Sequence, residues 1–98
     1  MALPPFLKGL EERDPKLAEV VGQLHQASSE GPLDTKTRLL ITMALDAFAG
    51  AAQGVASLAD QARKVGASDE EIAQALRIAY FVAGMQTLLT GNAAFQDN

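Results

Sequence analysis

The chain has no cysteine and no tryptophan, and only one histidine and one tyrosine among its 98 residues. The missing thiols exclude disulfides, thiolate nucleophiles and cysteine-ligated metals. Basic residues are also few: eight Lys and Arg stand against twelve Asp and Glu, for a net charge of −4. They are scattered, with no cluster or stripe, so the electrostatic footprint of a nucleic-acid or anionic-membrane binder is absent. No run approaches the ~18 consecutive apolar residues expected of a bilayer span. The opening MALPPFLKGLEERD has two early prolines and early charges in place of the apolar segment of a secretory signal. A cytoplasmic protein, with neither nucleic acid nor membrane as partner, is the resulting expectation.

What the chain has is aliphatic. Hydrophobic residues make up 48% with only 5% aromatic, and alanine is abundant. An alanine methyl removes little area from water, and a chain of this length has an unfavourable ratio of surface to volume. A second surface to bury against would compensate, so a homo-oligomer is expected.

Helical signals follow one another along the chain. After a short irregular lead, Asp14-Pro15 offers an N-cap followed by proline in the first turn, and Leu17, Val20, Val21 and Leu24 recur at helical spacing. Ser28, Ser29, Gly31 and Pro32 close that element. Asp34 caps a second helix whose Leu39, Leu40, Ile41, Met43, Leu45 and Phe48 lie on nearly every side, as in a central helix or one wedged between subunits. Ala49-Gly50 marks a break. A third helix runs to about Val65 with a stripe of Ala51, Val55, Leu58, Ala62 and Val65, and Gly66 stops it. Ser68 with Glu71 forms a capping box for a fourth helix carrying Ile72, Ala75, Leu76, Ala79, Tyr80 and Ala83. Gly84 divides that helix from a fifth bearing Met85, Leu88 and Leu89, and the tail from Asn92 is expected to fray. The reading is an all-α, compact bundle of four to five helices in a single domain over residues 1–98, with an N-terminal helix at 14–30 and a core at 33–95.

The segments LDTKTRLLITMA, ARKVGASDEEIAQALRIA and GMQTLLTG resemble the carboxymuconolactone decarboxylase family, which includes the alkylhydroperoxidase D-like proteins. The similarity runs from about Leu33 to Phe95, and its most specific part is Gly66 to Ala75. The resemblance implies an alkylhydroperoxidase D-like helical protomer assembling as a dimer, trimer or hexamer. It also implies, for the peroxidase branch, a glutamate, a Cys-x-x-Cys pair and a histidine four residues beyond it. Counted back from Gly66, those positions fall at Leu39, Ala51, Gly54 and Leu58. None carries its functional group. The decarboxylase branch, which implies a histidine and an acid around Gly54 and Leu58, is no better served. With nothing to ionise, Ala51, Val55 and Leu58 are expected to extend the core.

A few other residues could carry chemistry. His25, near the end of the first helix, has no second histidine or neighbouring carboxylate with which to hold a metal. Asp46 lies in the most apolar helix, where a buried acid needs a partner or loses its charge; Arg77, Gln53 and Tyr80 are candidates. Two roles are open to it: a buried polar network or inter-subunit ion pair, and a general base or ligand anchor lining a small pocket. Gln86, Thr87 and Thr90 put polar groups on the otherwise apolar last helix. Gly54 inside a helix calls for the close approach of another element. No cofactor and no metal are expected.

Three functional readings result: a non-redox module for small-molecule binding or assembly, a lactone decarboxylase-like or hydrolytic enzyme built on Asp46, and a non-catalytic subunit that joins a cysteine-bearing paralogue. The metal-free chain is expected to consume no organic hydroperoxide above the buffer blank in a reductant-coupled assay. Turnover by the pure polypeptide would overturn this reading of the vacated positions.

Overall fold

Asp14 and Asp34 begin their helices as the sequence leads one to expect, each carboxylate accepting a backbone N–H three residues on: Leu17 at 3.1 Å and Thr37 at 2.7 Å. The computed structural model describes residues 8–96. It contains α1 (Lys8–Arg13), α2 (Pro15–Ser29), α3 (Thr35–Ala49), α4 (Ala52–Lys64) and α5 (Asp69–Gly91), followed by a 3-10 turn at Asn92–Phe95. No strand occurs among the described residues.

Three local expectations are corrected. Part of the supposedly irregular lead is helical, as α1; the rest of it, residues 1–7, lies outside the described residues. The tail from Asn92 forms a 3-10 turn before the described residues end. Gly84 does not divide the last helix, since α5 is continuous for 23 residues. A glycine within a helix costs only about 1 kcal/mol against alanine; a glycine stop takes a left-handed conformation, and among the described residues positive φ occurs only at Gly31, Gly50 and Gly66.

The chain divides into two compact units between Leu33 and Asp34. In the first, α1 and α2 contact each other. The buried residues of α2 are Ala18 and Gly22, whereas Leu17, Val20 and Leu24 of the expected stripe are exposed.

The second unit is built around α3, which contacts both α4 and α5. Gly50 (φ 82°) and Gly66 (φ 102°) end α3 and α4. In each case the residue after the glycine bonds back five positions, Ala51 N–H to Asp46 C=O and Ala67 N–H to Ala62 C=O, both at 2.9 Å, which is the Schellman closure. Ala62 and Ala67 then meet Leu39 in one buried cluster. A second cluster joins Met43, Ala59 and Ile72, with Val55, Leu58, Ala75 and Leu76 packed on it. Met43 is wholly enclosed, at 0% exposure.

α5 joins the core only through its first half. Ile72 is its one buried residue, and Ile78, Phe81, Val82, Leu88 and Leu89 are exposed. By length and composition the helical stretch Asp69–Phe95 would also suffice to cross a membrane, with a mean hydropathy of 1.3 over its best window. A count of consecutive apolar residues did not register this, because Arg77, Gln86 and Thr87 interrupt the run. A helix apolar on all sides demands cover of some kind.

The capping box of α5 is complete: Ser68 Oγ accepts from Glu71 N–H at 3.0 Å, and Glu71 Oε1 accepts from Ser68 N–H at 2.9 Å. The other oxygen of Glu71 accepts from Lys36 Nζ at 2.8 Å, tying the first turn of α3 to that of α5. The Lys36 hydrogen bond holds the Glu71 carboxyl below its ordinary pKa, with the Ser68 N–H adding to the effect, and Glu71 in turn raises Lys36. Asp34 is lowered by its bond from the Thr37 backbone. A depressed carboxylate contributes stability above its unfolded pKa and loses it as pH falls through the folded value; a raised lysine loses its contribution as pH rises through its folded value. The thermal midpoint, followed by circular dichroism, is therefore expected to fall on acidification below the usual carboxylate range, and less steeply in Glu71→Gln. Identical acid profiles for the two proteins would remove Glu71 from this account.

Candidate functional site

Of the positions that the resemblance assigns to chemistry, Ala51 and Gly54 lie where α3 turns into α4, whereas Leu39, near the start of α3, packs at the other end of α4 against Ala62 and Ala67. Leu39 is buried in the core; Ala51, Gly54 and Leu58 follow one another along one side of α4. Ala51 is the N-cap of α4, yet makes no side-chain capping bond, because it has no oxygen to offer. It is exposed, so the expectation that it extends the core fails, whereas Val55 and Leu58 do pack against the Met43 cluster.

Gly54 has the close neighbour that its place in a helix called for. A methyl group there would fall against Asp46 Oδ2, 3.2 Å from Cγ of the same carboxyl and 3.7 Å from the Ala51 Cβ. The carboxyl group of α3 thus stands where a side chain at position 54 would begin. It also lies beside the first turn of α4, whose unpaired N–H groups favour negative charge.

Asp46 is half-buried, so the expectation of a buried acid is corrected; the Schellman turn brings it to the edge of the α3–α4 corner. No side-chain hydrogen bond or ion pair joins it to Arg77, Gln53 or Tyr80 among the described residues, and all three candidates are exposed, Tyr80 at 80%. His25 is exposed on α2, and its carbonyl accepts from Ser28 and Ser29 Oγ at 2.7 and 3.1 Å. No group of three or more acidic, histidine or cysteine side chains is arranged to hold a metal among the described residues.

Two open grooves lie elsewhere on this unit. One, of about 350 Å³, runs between α3 and α5 with apolar walls that include Leu40, Ile41 and Ile78 and with the Lys36–Glu71 pair on its lining. The other, of about 500 Å³, sets Phe48 against Gln86, Thr87 and Thr90. Neither is lined by Asp46, Ala51, Gly54 or Leu58. The first groove was missed in the sequence, since nothing in the residues themselves pairs Lys36 with Glu71, 35 positions away. The polar residues of the second had been noticed, but not their facing Phe48.

The arrangement offers one carboxylate able to accept a proton, with no thiol or imidazole beside it. The contact between Asp46 and Gly54 makes a specific energetic prediction. In an Asp46→Ala background, Gly54→Ala is expected to stabilise by about 1 kcal/mol, the helix-propensity gain. In the parent it is expected to gain less or to destabilise, because the carboxyl group must move. Equal effects in chemical denaturation of both backgrounds would mean that the two groups do not meet.

A comparison with curated proteins finds no match. A scan against family models matches the carboxymuconolactone decarboxylase family over residues 15–97. The match starts at the first residue of α2, well before the Leu33 at which the resemblance in the sequence began, and covers α3, the α3–α4 corner and α5. The chain belongs to the carboxymuconolactone decarboxylase family.

Proposed function

We propose that this is a non-redox member of the family that works by assembly: a homo-oligomeric module, with the groove between α3 and α5 as its small-molecule site. The observation that carries the reading is the apolar surface of the second unit, where Ile41, Leu45 and Phe48 on α3 and the outer residues of α5 are all exposed. Soluble monomers rarely leave contiguous apolar patches beyond a few hundred Å² in water. The vacated positions agree with it: Leu39, Ala51, Gly54 and Leu58 supply packing and backbone geometry but no group that transfers protons or electrons.

A second reading, an acid–base enzyme of lactone decarboxylase-like or hydrolytic type, is favoured by one feature. Asp46 is half-buried and has no hydrogen-bonding or ion-pair partner among the described residues. Its carboxylate would serve as general base, with the substrate supplying the missing partner.

The assembly reading is tested by the mass in solution. Light scattering at micromolar concentration is expected to return a whole multiple, two or more, of the 10.3 kDa protomer. A protomer mass across the accessible concentration range would refute the reading.

A further inference from the structure

α5 has two apolar faces, and only one is used inside the chain. Ile72, Ala75 and Leu76 turn towards the Met43 cluster. Beyond them lie Ile78, which also lines the α3–α5 groove at its edge, and Phe81, Val82, Met85, Leu88 and Leu89, exposed from 40% at Met85 to 72% at Leu88. Their spacing is 3, 1, 3, 3 and 1 residues, two consecutive repeats of the a/d/e pattern that helices use to pack on other helices. No charged side chain occurs from Ile78 to Gly91, while Asp69, Glu70 and Glu71 crowd the first turn.

We propose that this outer seam is a homotypic interface, in which α5 of one copy packs antiparallel on α5 of a second copy about a two-fold axis between Val82 and Met85. The inference rests on the assembly reading above and specifies its surface. Three features of α5 select this occupant. The seam can meet its own copy in an isologous contact: reversing it sets Ile78 opposite Leu89 and Val82 opposite Met85, with Phe81 over Gln86 and Leu88 over Ala79. All six side chains are exposed, so the seam presents a contiguous apolar surface that a second copy would remove from water. Charge fixes the direction. A parallel pair would align the helix dipoles and set two acidic first turns side by side, whereas the antiparallel pair opposes the dipoles and leaves each acidic turn beyond the end of the seam.

The absence of cysteine makes the test direct, because one introduced thiol is the only one present. Val82→Cys and Met85→Cys are each expected to give a covalent dimer in high yield with a short bis-maleimide, while Gln61→Cys, on the exposed side of α4, does not. Val82→Glu is expected to halve the solution mass with helicity unchanged by circular dichroism; should it fail to fold, the two cysteine variants still decide. An oligomeric parent whose Val82 and Met85 thiols do not cross-link, or whose mass is three protomers and so has no two-fold axis, would overturn the seam and leave assembly standing. A monomeric parent would overturn both. Among monomeric outcomes, co-sedimentation with phosphatidylcholine vesicles would reassign the outer face of α5 to lipid.

Discussion

The second unit depends on how closely α4 approaches α3, and side chains of almost no size set that distance. Gly54, Ala59 and Ala62 turn towards α3, where Leu39 and Met43 fill the space between. Small residues permit close backbones and many weak contacts per unit length. They also bury little area each. The same alanines that let α4 lie close to α3 therefore leave a thin core, and Ile72 is all that α5 buries in it. The exposed outer face of α5 follows from that economy: the helix cannot cover both of its apolar sides with what three helices provide.

The same geometry holds the α3–α4 corner together without any thiol or imidazole. Its shape comes from backbone closure at Gly50 and from the Ala51 N–H bonded to the Asp46 carbonyl. Neither needs a sulfur or an imidazole. Leu58 adds packing where the resemblance would have a histidine, and Gly54 makes room for the Asp46 carboxylate where it would have a cysteine.

Much of the fold was legible because its punctuation is local. The Asp14 and Asp34 caps, the stops at Gly50 and Gly66, and the Ser68–Glu71 box each depend on residues within five positions of one another, and each stands where its local signal lies. Gly84 misled because glycine signals only what the backbone is free to do; nothing nearby drew it into positive φ, so the helix ran on. The stripe of α2 misled for a different reason. Periodicity finds an apolar face but not its cover, and Ala18 and Gly22 are buried while the larger Leu17, Val20 and Leu24 are not. The site was legible only as a set of absences. Its positive features, Asp46 against Gly54 and Lys36 with Glu71, join different helices, and one sequence holds no distance between them.

Length and hydropathy alone leave α5 equally fit for lipid or for another helix, but the rest of its sequence separates the two. Arg77 falls eight residues from the helix start, within the apolar stretch, where a charge in hydrocarbon would be expensive. An interfacial helix would also confine its apolar residues to one side, but the spacing of the outer seam, 3, 1, 3, 3 and 1 residues, is also the one with which helices pack on helices. Tyr80, Gly84 and Thr87, on the side away from the seam, make that face less oily than a lipid-facing helix would be. Along α5 one edge is thus more polar and two are apolar, one of them against the Met43 cluster and the other exposed.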